Sequence, residues 1–265
     1  MSRNQTFRDL HAPGELLRLP NAWDAGSARL IEANGAAAIA TTSAGLAWAR
    51  GYRDGDRVPG PVLSAAVAEI ARVISVPLSA DVEGGYSDDP TAVGETVAAV
   101  IGAGAVGVNL EDGGGAVELL CEKIEVAKQV ALRAGVDLFV NARTDVYLRG
   151  LVPKDRALEE AGARGQRYQA AGCDGFFVPK IADTAEIRAI ADAVALPLNV
   201  LVMPGLAPVT ELRKLGVRRV SAGSGIAAAA LGTVQRATRQ FLEDGRYDAM
   251  FETSADYRAM NDLFR

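Results

Sequence analysis

One punctuation mark recurs along this chain and limits what it can fold into. An alanine-rich stretch of helical character ends in glycine, and a short apolar segment follows within a few residues. Ala33-Asn34-Gly35 precedes residues 37–43, Gly102-Ala103-Gly104 precedes 106–111, Ala171-Gly172 precedes 175–180, and Leu215-Gly216 precedes 218–222. Glycine is favoured just past a helix C-terminus because it enters the left-handed conformation without a Cβ penalty. Three further strand-like segments start differently, 76–83 and 196–203 on Val76-Pro77 and Leu196-Pro197, and 138–144 after Gly135-Val136-Asp137. With 16–22 at the front, eight short β segments alternate with helical ones. Such alternation requires a parallel sheet. In 265 residues without a linker or composition break, it predicts one (β/α)₈ TIM-type barrel, a fold of about 250 residues. The barrel is expected to span residues 1–265 as a single domain, with 233–265 as a C-terminal extension of one or two helices, part of it packed on a neighbouring subunit.

Composition narrows the function classes. The chain is 49% hydrophobic and 23% charged, with a net charge of −5. Acids and bases are interspersed, without the basic stripe that nucleic-acid binding requires, so a small molecule is the expected partner. The first 17 residues are polar and lack an apolar signal region. No apolar run approaches the roughly 18 residues of a membrane span. Cys121 and Cys173 have no CxxC or disulfide spacing, and a cytoplasmic location is the expectation. The chain has a single histidine, His11, in a polar N-terminal segment. A Ser–His–Asp triad or a His-rich zinc site is therefore disfavoured, which leaves the chemistry to carboxylates, Arg, Lys, Ser, Tyr or Cys.

In such barrels the active site lies at the C-terminal ends of the strands, so polar residues that end an apolar strand are informative. Residues two apart share a strand face. Asp81 and Glu83 share one, Asn109 and Glu111 another, and Asn141, Arg143 and Asp145 a third. If these faces point inward, carboxylates and an arginine converge in one mouth. Clustered carboxylates repel without a cation, and hard oxygen donors suit Mg²⁺ or Mn²⁺. Asp81 and Glu83 both follow a buried strand and precede the Gly84-Gly85 turn, which favours a site over simple helix capping. Asp112 and Asp145 fit either role. Ser43-Ala44-Gly45, after Thr42, offers a hydroxyl and backbone N–H groups able to hold a carboxylate or phosphonate oxygen, or forms an ordinary tight turn. Asn199, on the segment 196–203, joins Ser43, Ala44, Gly45 and Arg143 in the expected substrate-binding set. Asp54 lies on a Gly- and Arg-rich loop and, taken alone, reads as a solvated acid.

Two glycine motifs look like nucleotide or phosphate sites. Residues 102–107 match GxGxxG, but a helical run precedes them and a strand follows, the reverse of the dinucleotide fingerprint. Gly223-Ser224-Gly225 is placed like the phosphate cradle of many barrels, or serves as a small-residue helix start.

Together, "LPNAWDAGSARLIEANGAAAIATTSAG", "PLSADVEGGY", "GVNLEDG", "VNARTDVYL", "AAGCDGFFVPK" and "LGVRRVSAGSG", in that order across residues 19–223, resemble the isocitrate lyase/phosphoenolpyruvate mutase superfamily. The resemblance implies a (β/α)₈ barrel, often with its last helix exchanged between subunits, in a homodimer or homotetramer. It implies cleavage or formation of C–C or P–C bonds beside a 2-oxo carboxylate, through an enolate held on Mg²⁺. By resemblance Asp81 ligates the metal directly, while Glu83 and Glu111 act mainly through bound waters. Ser43 and Gly45 hold the substrate carboxylate, Arg143 neutralises the enolate, and Asp54 lies on a mobile loop near the reacting group. Arg143, Asp54 and Glu111 form the implied catalytic set.

Departures from the superfamily refine the expectation. The Lys-Lys/Arg-Cys-Gly-His loop of isocitrate and methylisocitrate lyases is replaced by "GGGAVELLCEKIEVAK", where Cys121 reads as a buried helix residue rather than a catalytic acid. The late-barrel histidine of phosphonate-handling members has no counterpart. A Mg²⁺-dependent lyase or decarboxylase of a small 2-oxo or 2-hydroxy acid is expected, with solvent or Tyr86 as proton source. A P–C bond enzyme and a non-catalytic 2-oxo acid binding protein are the alternatives.

Overall fold

The computed structural model describes residues 3–264. The strands are β1 (Leu17–Leu19), β2 (Asn21–Ala22), β3 (Ile39–Thr41), β4 (Leu78–Asp81), β5 (Gly107–Glu111), β6 (Phe139–Arg143), β7 (Gly175–Val178), β8 (Leu198–Leu201) and β9 (Val217–Ser221). All pairings are parallel, in the order β1-β9-β8-β7-β6-β5-β4-β3-β2. β1 and β2 are one stave interrupted at Pro20, which has no N–H for a ladder. Its first half pairs with β9, Leu17 opposite Arg219, and its second half with β3, Asn21 opposite Ala40. One stave thus joins the two edges of the sheet, and the chain is a (β/α)₈ barrel of eight staves.

Seven helices, Ala25–Ala33, Gly60–Val73, Pro90–Gly102, Val117–Arg133, Ala157–Ala170, Thr184–Ala193 and Val209–Lys214, form the outer ring. Their apolar faces (Leu63, Val67 and Ile70; Val93, Val97 and Val100; Leu120, Ile124 and Ala127) pack on the outward strand residues. Within the barrel, a separate cluster of Phe7, Leu17, Leu19, Ala38, Ala40, Val106 and Phe139 fills the N-terminal end of the strands. The helix Arg3–Asp9 stoppers that end with Phe7, which meets Phe139 edge-on at 5.5 Å between centroids. The stopper requires glycine at 107, because a Cβ there would stand 2.7 Å from Phe7 Cε1. His11 stacks on Phe139 at 4.2 Å, buried, with Nδ1 2.8 Å from the Phe7 carbonyl oxygen.

Gly102 ends the helix Pro90–Gly102, and Gly104, at φ +106°, turns the chain into β5. The GxGxxG look-alike is thus a helix-to-strand turn at the stoppered end. The last long helix begins at Gly225 rather than at the expected residue 233, and runs to Asp244. It buries only Ala227 and exposes Leu231, Val234, Phe241 and Leu242. Beside its start lies an apolar groove of about 760 Å³ lined by Leu16, Leu17, Ile31, Val202, Val220 and Ile226, among others. No helix among the described residues is long and apolar enough to cross a membrane.

Candidate active site

Register brings the polar strand ends together. Asp81 lies opposite Asn109, Asn109 opposite Asn141, and Glu111 opposite Arg143. Inward residues of β4, β5 and β6 therefore form two polar tiers, Asp81, Asn109 and Asn141 in the lower and Glu111 with Arg143 in the upper.

Asp81 is buried. Its Oδ2 accepts from the Ser43 backbone N–H at 3.2 Å, its Oδ1 from the Glu83 N–H at 3.5 Å, and its own N–H donates to Thr41 Oγ1 at 2.8 Å. Burial raises its pKa, against the lowering influence of Arg143 and the Ser43 donor. The Arg143 guanidinium bridges two carboxylates, Nη1 to Glu111 Oε2 at 2.6 Å and Nε to Asp145 Oδ1 at 2.7 Å. Asp145 is itself held by Arg149 Nε at 2.9 Å. Burial pushes Glu111 upward, Arg143 opposes this, and the charge of Asp81 adds to it.

Glu83 sits just past β4 with φ +51°. Its Oε1 accepts from the Tyr86 hydroxyl at 2.9 Å and its Oε2 from the Asp56 backbone N–H at 2.5 Å. Burial raises Glu83 to about 7, against the Asp56 donor and with the help of the Asp81 charge. Burial and the nearby Glu83 carboxylate keep the Tyr86 phenol protonated well beyond neutral pH. A cavity of about 470 Å³ opens beside this group, lined by Asp56, Tyr86, Glu111, Asp112, Lys123 and Arg149 together with the glycines of three loops.

The expected site residues separate into tiers. Ser43 opens the short helix Ser43–Ala49 with Ala44 and Gly45 behind it. Gly45 has no room for a side chain, since a Cβ would meet Thr42 Cγ2 at 2.8 Å and Ala227 at 3.0 Å. Asn199 is fully buried in the lower tier, where its Oδ1 accepts from Ser221 Oγ at 3.2 Å. Asp54 is exposed and makes no hydrogen bond or ion pair with another described residue; the acid its loop brings inward is Asp56. Asp112 collects Thr144 Oγ1, the Asp145 N–H, Arg164 Nη1 and the Tyr168 hydroxyl at 2.7–2.9 Å, a buttress behind the mouth. Cys121 is partly buried on the helix Val117–Arg133, its sulfur 3.7 Å from the Arg167 carbonyl oxygen. The Gly223 N–H is taken by Asn21 Oδ1 at 2.8 Å as the chain enters the helix Gly225–Asp244.

Two buried cations escaped the sequence reading. Arg219, fully buried in the lower tier, donates to Ser221 Oγ and Asn109 Oδ1, both at 3.1 Å, and burial lowers its pKa to about 9. Lys123 reaches the Gly84 carbonyl. Both had a signal in the sequence, a charge on the inward face of a strand and a charge on the apolar face of a helix.

Among the described residues, no three His, Cys, Asp or Glu side chains converge closely enough to hold one ion together. Glu111 is turned onto Arg143, and both oxygens of Glu83 already have donors. The contacts to the Asp81 carboxylate, at 3.2 and 3.5 Å, are the longest of those that the three acids make. One direct carboxylate with the other acids a water away still fits Mg²⁺, which dehydrates reluctantly and keeps several waters.

A family model described as phosphoenolpyruvate phosphomutase matches residues 7–242. An uncharacterised protein of Mycobacterium tuberculosis is 38% identical over 245 residues, covering 91% of this chain and 90% of its own. The oxaloacetate decarboxylase of Pseudomonas fluorescens is 32% identical over 174 residues, covering 61% of this chain and 57% of that enzyme. A crystal structure from Burkholderia cenocepacia, described as a candidate lyase/mutase, superposes with TM-score 0.90 at 35% identity, covering 99% of this chain and 95% of that one. The match runs from the stopper helix into the last long helix, and this chain belongs to the phosphoenolpyruvate phosphomutase family.

Proposed function

We propose that this enzyme is a Mg²⁺-dependent lyase or decarboxylase of small 2-oxo or 2-hydroxy carboxylic acids, and that a 2-oxo diacid such as oxaloacetate is its type of substrate. The observation that carries this reading is the Arg143 guanidinium, fixed between Glu111 and Asp145 in a mouth that also holds buried Asp81. Asp81 would hold the metal directly, with Glu83 and Glu111 holding its waters. When bound, the cation supplies a Lewis acid that polarises the substrate carbonyl. Ser43, Ala44 and Gly45 orient the substrate carboxylate. Arg143 opposes the negative charge that develops on the enolate oxygen, an interaction that strengthens only as the bond breaks. Asn199 supports the floor through Ser221. Asp54 takes part through movement of its loop. Protonation of the product carbon falls to the Tyr86 hydroxyl or to water.

Similarity to an oxaloacetate decarboxylase supports the substrate class. The P–C alternative is weakened because the sole histidine lies in the stopper, at the opposite end of the barrel from the acids. A panel of 2-oxo and 2-hydroxy acids with Mg²⁺, followed by NMR of the products, tests the assignment. Turnover of oxaloacetate or a related acid is expected; phosphonopyruvate turned over faster than every carboxylic acid would overturn it.

The same reading includes a homodimer or homotetramer. The apolar groove beside the first and last staves, and the exposed Leu231, Phe241 and Leu242 of the last long helix, support an arrangement in which that helix packs on a second copy.

A further inference from the structure

Lys123 lies on the helix Val117–Arg133, on the face that buries Leu120, Ile124, Ala127 and Ala131. Only 5% of it is exposed. Among the described residues its one close polar partner is a main-chain atom, the Gly84 carbonyl oxygen, to which Nζ donates at 2.7 Å. The nearest acid, Asp88, is 3.8 Å away with a side chain 97% exposed, a pairing that contributes little in water. Burying an ammonium is costly unless it is paired and hydrogen-bonded.

That contact lies at the centre of the acid cluster. Both main-chain groups of Gly84 are held, its N–H by Asp56 Oδ1 at 3.2 Å and its carbonyl by Lys123. On one side stands Glu83 at φ +51°, and two residues beyond stands Tyr86 at φ +62°. Non-glycine residues rarely adopt this conformation, and persist there only where their surroundings hold them. Glu83 also anchors its neighbour, since its carbonyl accepts the Glu111 N–H at 2.9 Å. The peptide that carries the Gly84 carbonyl also carries the Gly85 N–H, which closes the turn around Glu83 on the Val82 carbonyl at 2.8 Å, so its rotation would open that turn and let the Glu83 carboxylate leave Tyr86 and the Asp56 N–H.

We propose that Lys123 is a positioning residue for this site: its ammonium fixes the Gly84 carbonyl, keeps Glu83 in the left-handed conformation, and so holds the Glu83 carboxylate in the site beside Asp81. The proposal rests on the reading of Asp81, Glu83 and Glu111 as the Mg²⁺ or Mn²⁺ site. Residues that orient a site's acids without touching the ion typically change metal affinity by about 10–100-fold when replaced.

The test is Mn²⁺ binding to the full-length protein, followed by electron paramagnetic resonance, for Lys123→Met, Lys123→Arg and Asp81→Asn. Lys123→Met keeps the aliphatic stem and should weaken Mn²⁺ by about 10-fold or more. Lys123→Arg restores a donor to the Gly84 carbonyl and should recover most of that loss. If Lys123→Met does not fold, Lys123→Gln makes the same comparison with a shorter neutral side chain, and weakened binding is again expected. Wild-type affinity in the Met or Gln variant would overturn the proposal, as would an Arg variant as weak as the Met one, which would point to packing rather than donation. Asp81→Asn separates the two claims. If it binds Mn²⁺ normally, the metal-site reading itself fails; if it loses Mn²⁺ while Lys123→Met does not, only the role of Lys123 fails.

Discussion

Glu111 and Arg143 end neighbouring strands in direct register, and their side chains meet at 2.6 Å inside the mouth of the barrel. Each compensates a charge that burial would otherwise penalise. The guanidinium holds Glu111 on one nitrogen and Asp145 on another, so the described acids of this mouth are spread around an arginine rather than gathered on a point.

Arg143→Ala should lower kcat on the best 2-oxo acid substrate by about 10²–10³-fold, the loss typical of one oxyanion donor. KM should change far less, because the interaction strengthens in the transition state. Steady-state kinetics over the acid panel measures both, and a variant that loses only KM would place Arg143 in ground-state binding.

Metal should stabilise the fold by linkage. At a Mg²⁺ or Mn²⁺ concentration 100 times Kd the gain is about 2.7 kcal/mol, a rise of several degrees in Tm for a domain of this size. Asp81→Asn should abolish most of that rise. Thermal melts with EDTA and with millimolar Mg²⁺ make the comparison, and indifference of the wild type to both would remove the case for a cation.

The contribution of Glu83 to the stability of the metal-free protein should fall as pH rises from about 4.5 to about 7, against the opposite trend of buried His11 below about 6.5. Glu83 is raised from 4.5 to about 7, mainly by burial. Across that window the unfolded chain has released the proton that the folded chain still holds, so rising pH favours unfolding. Glu83→Gln should remove that fall. Because the ionised form is the one that faces a cation, Mn²⁺ affinity should rise over the same interval, and urea titrations at pH 5 and pH 8 with and without Mn²⁺ should show the two trends opposing each other.

Light scattering should find the wild type as a dimer or tetramer. Leu231→Glu with Leu242→Glu, both on the exposed face of the last long helix, should shift it to a smaller species. An unchanged mass would mean that another surface joins the copies, or that none does.

The barrel was legible because its punctuation is local. Gly35, Gly104, Gly172 and Gly216 all adopt positive φ within four residues of a strand, and each was visible as a glycine closing a helical run. The break at Pro20 was not, because a stave that pairs to one side with its first half and to the other with its second still reads as one apolar segment. Asp81, Glu83, Glu111 and Arg143 were legible from alternation at strand ends. Which acid the loop "RDGD" brings inward was not: Asp54 and Asp56 are equivalent in the sequence, and the choice falls on the residue whose backbone turns left-handed, at φ +54°, to meet Glu83. Lys123 and Arg219 were visible as charges out of place on apolar faces, but only the barrel says which elements they reach across to.

The stopper has a consequence for experiments on this enzyme. His11 is buried and stacked on Phe139, and burial, with the positive charge of Arg219 adding to it, lowers its pKa to about 3. The chain's one imidazole therefore stays uncharged from mildly acidic to alkaline pH, and the folded enzyme has no histidine titration in the range where most enzymes show one. An inflection of activity or metal affinity near pH 7 in this protein therefore points to a carboxylic acid rather than an imidazole, whereas stability also carries the unfolded chain's His11, which takes up a proton that the folded chain does not.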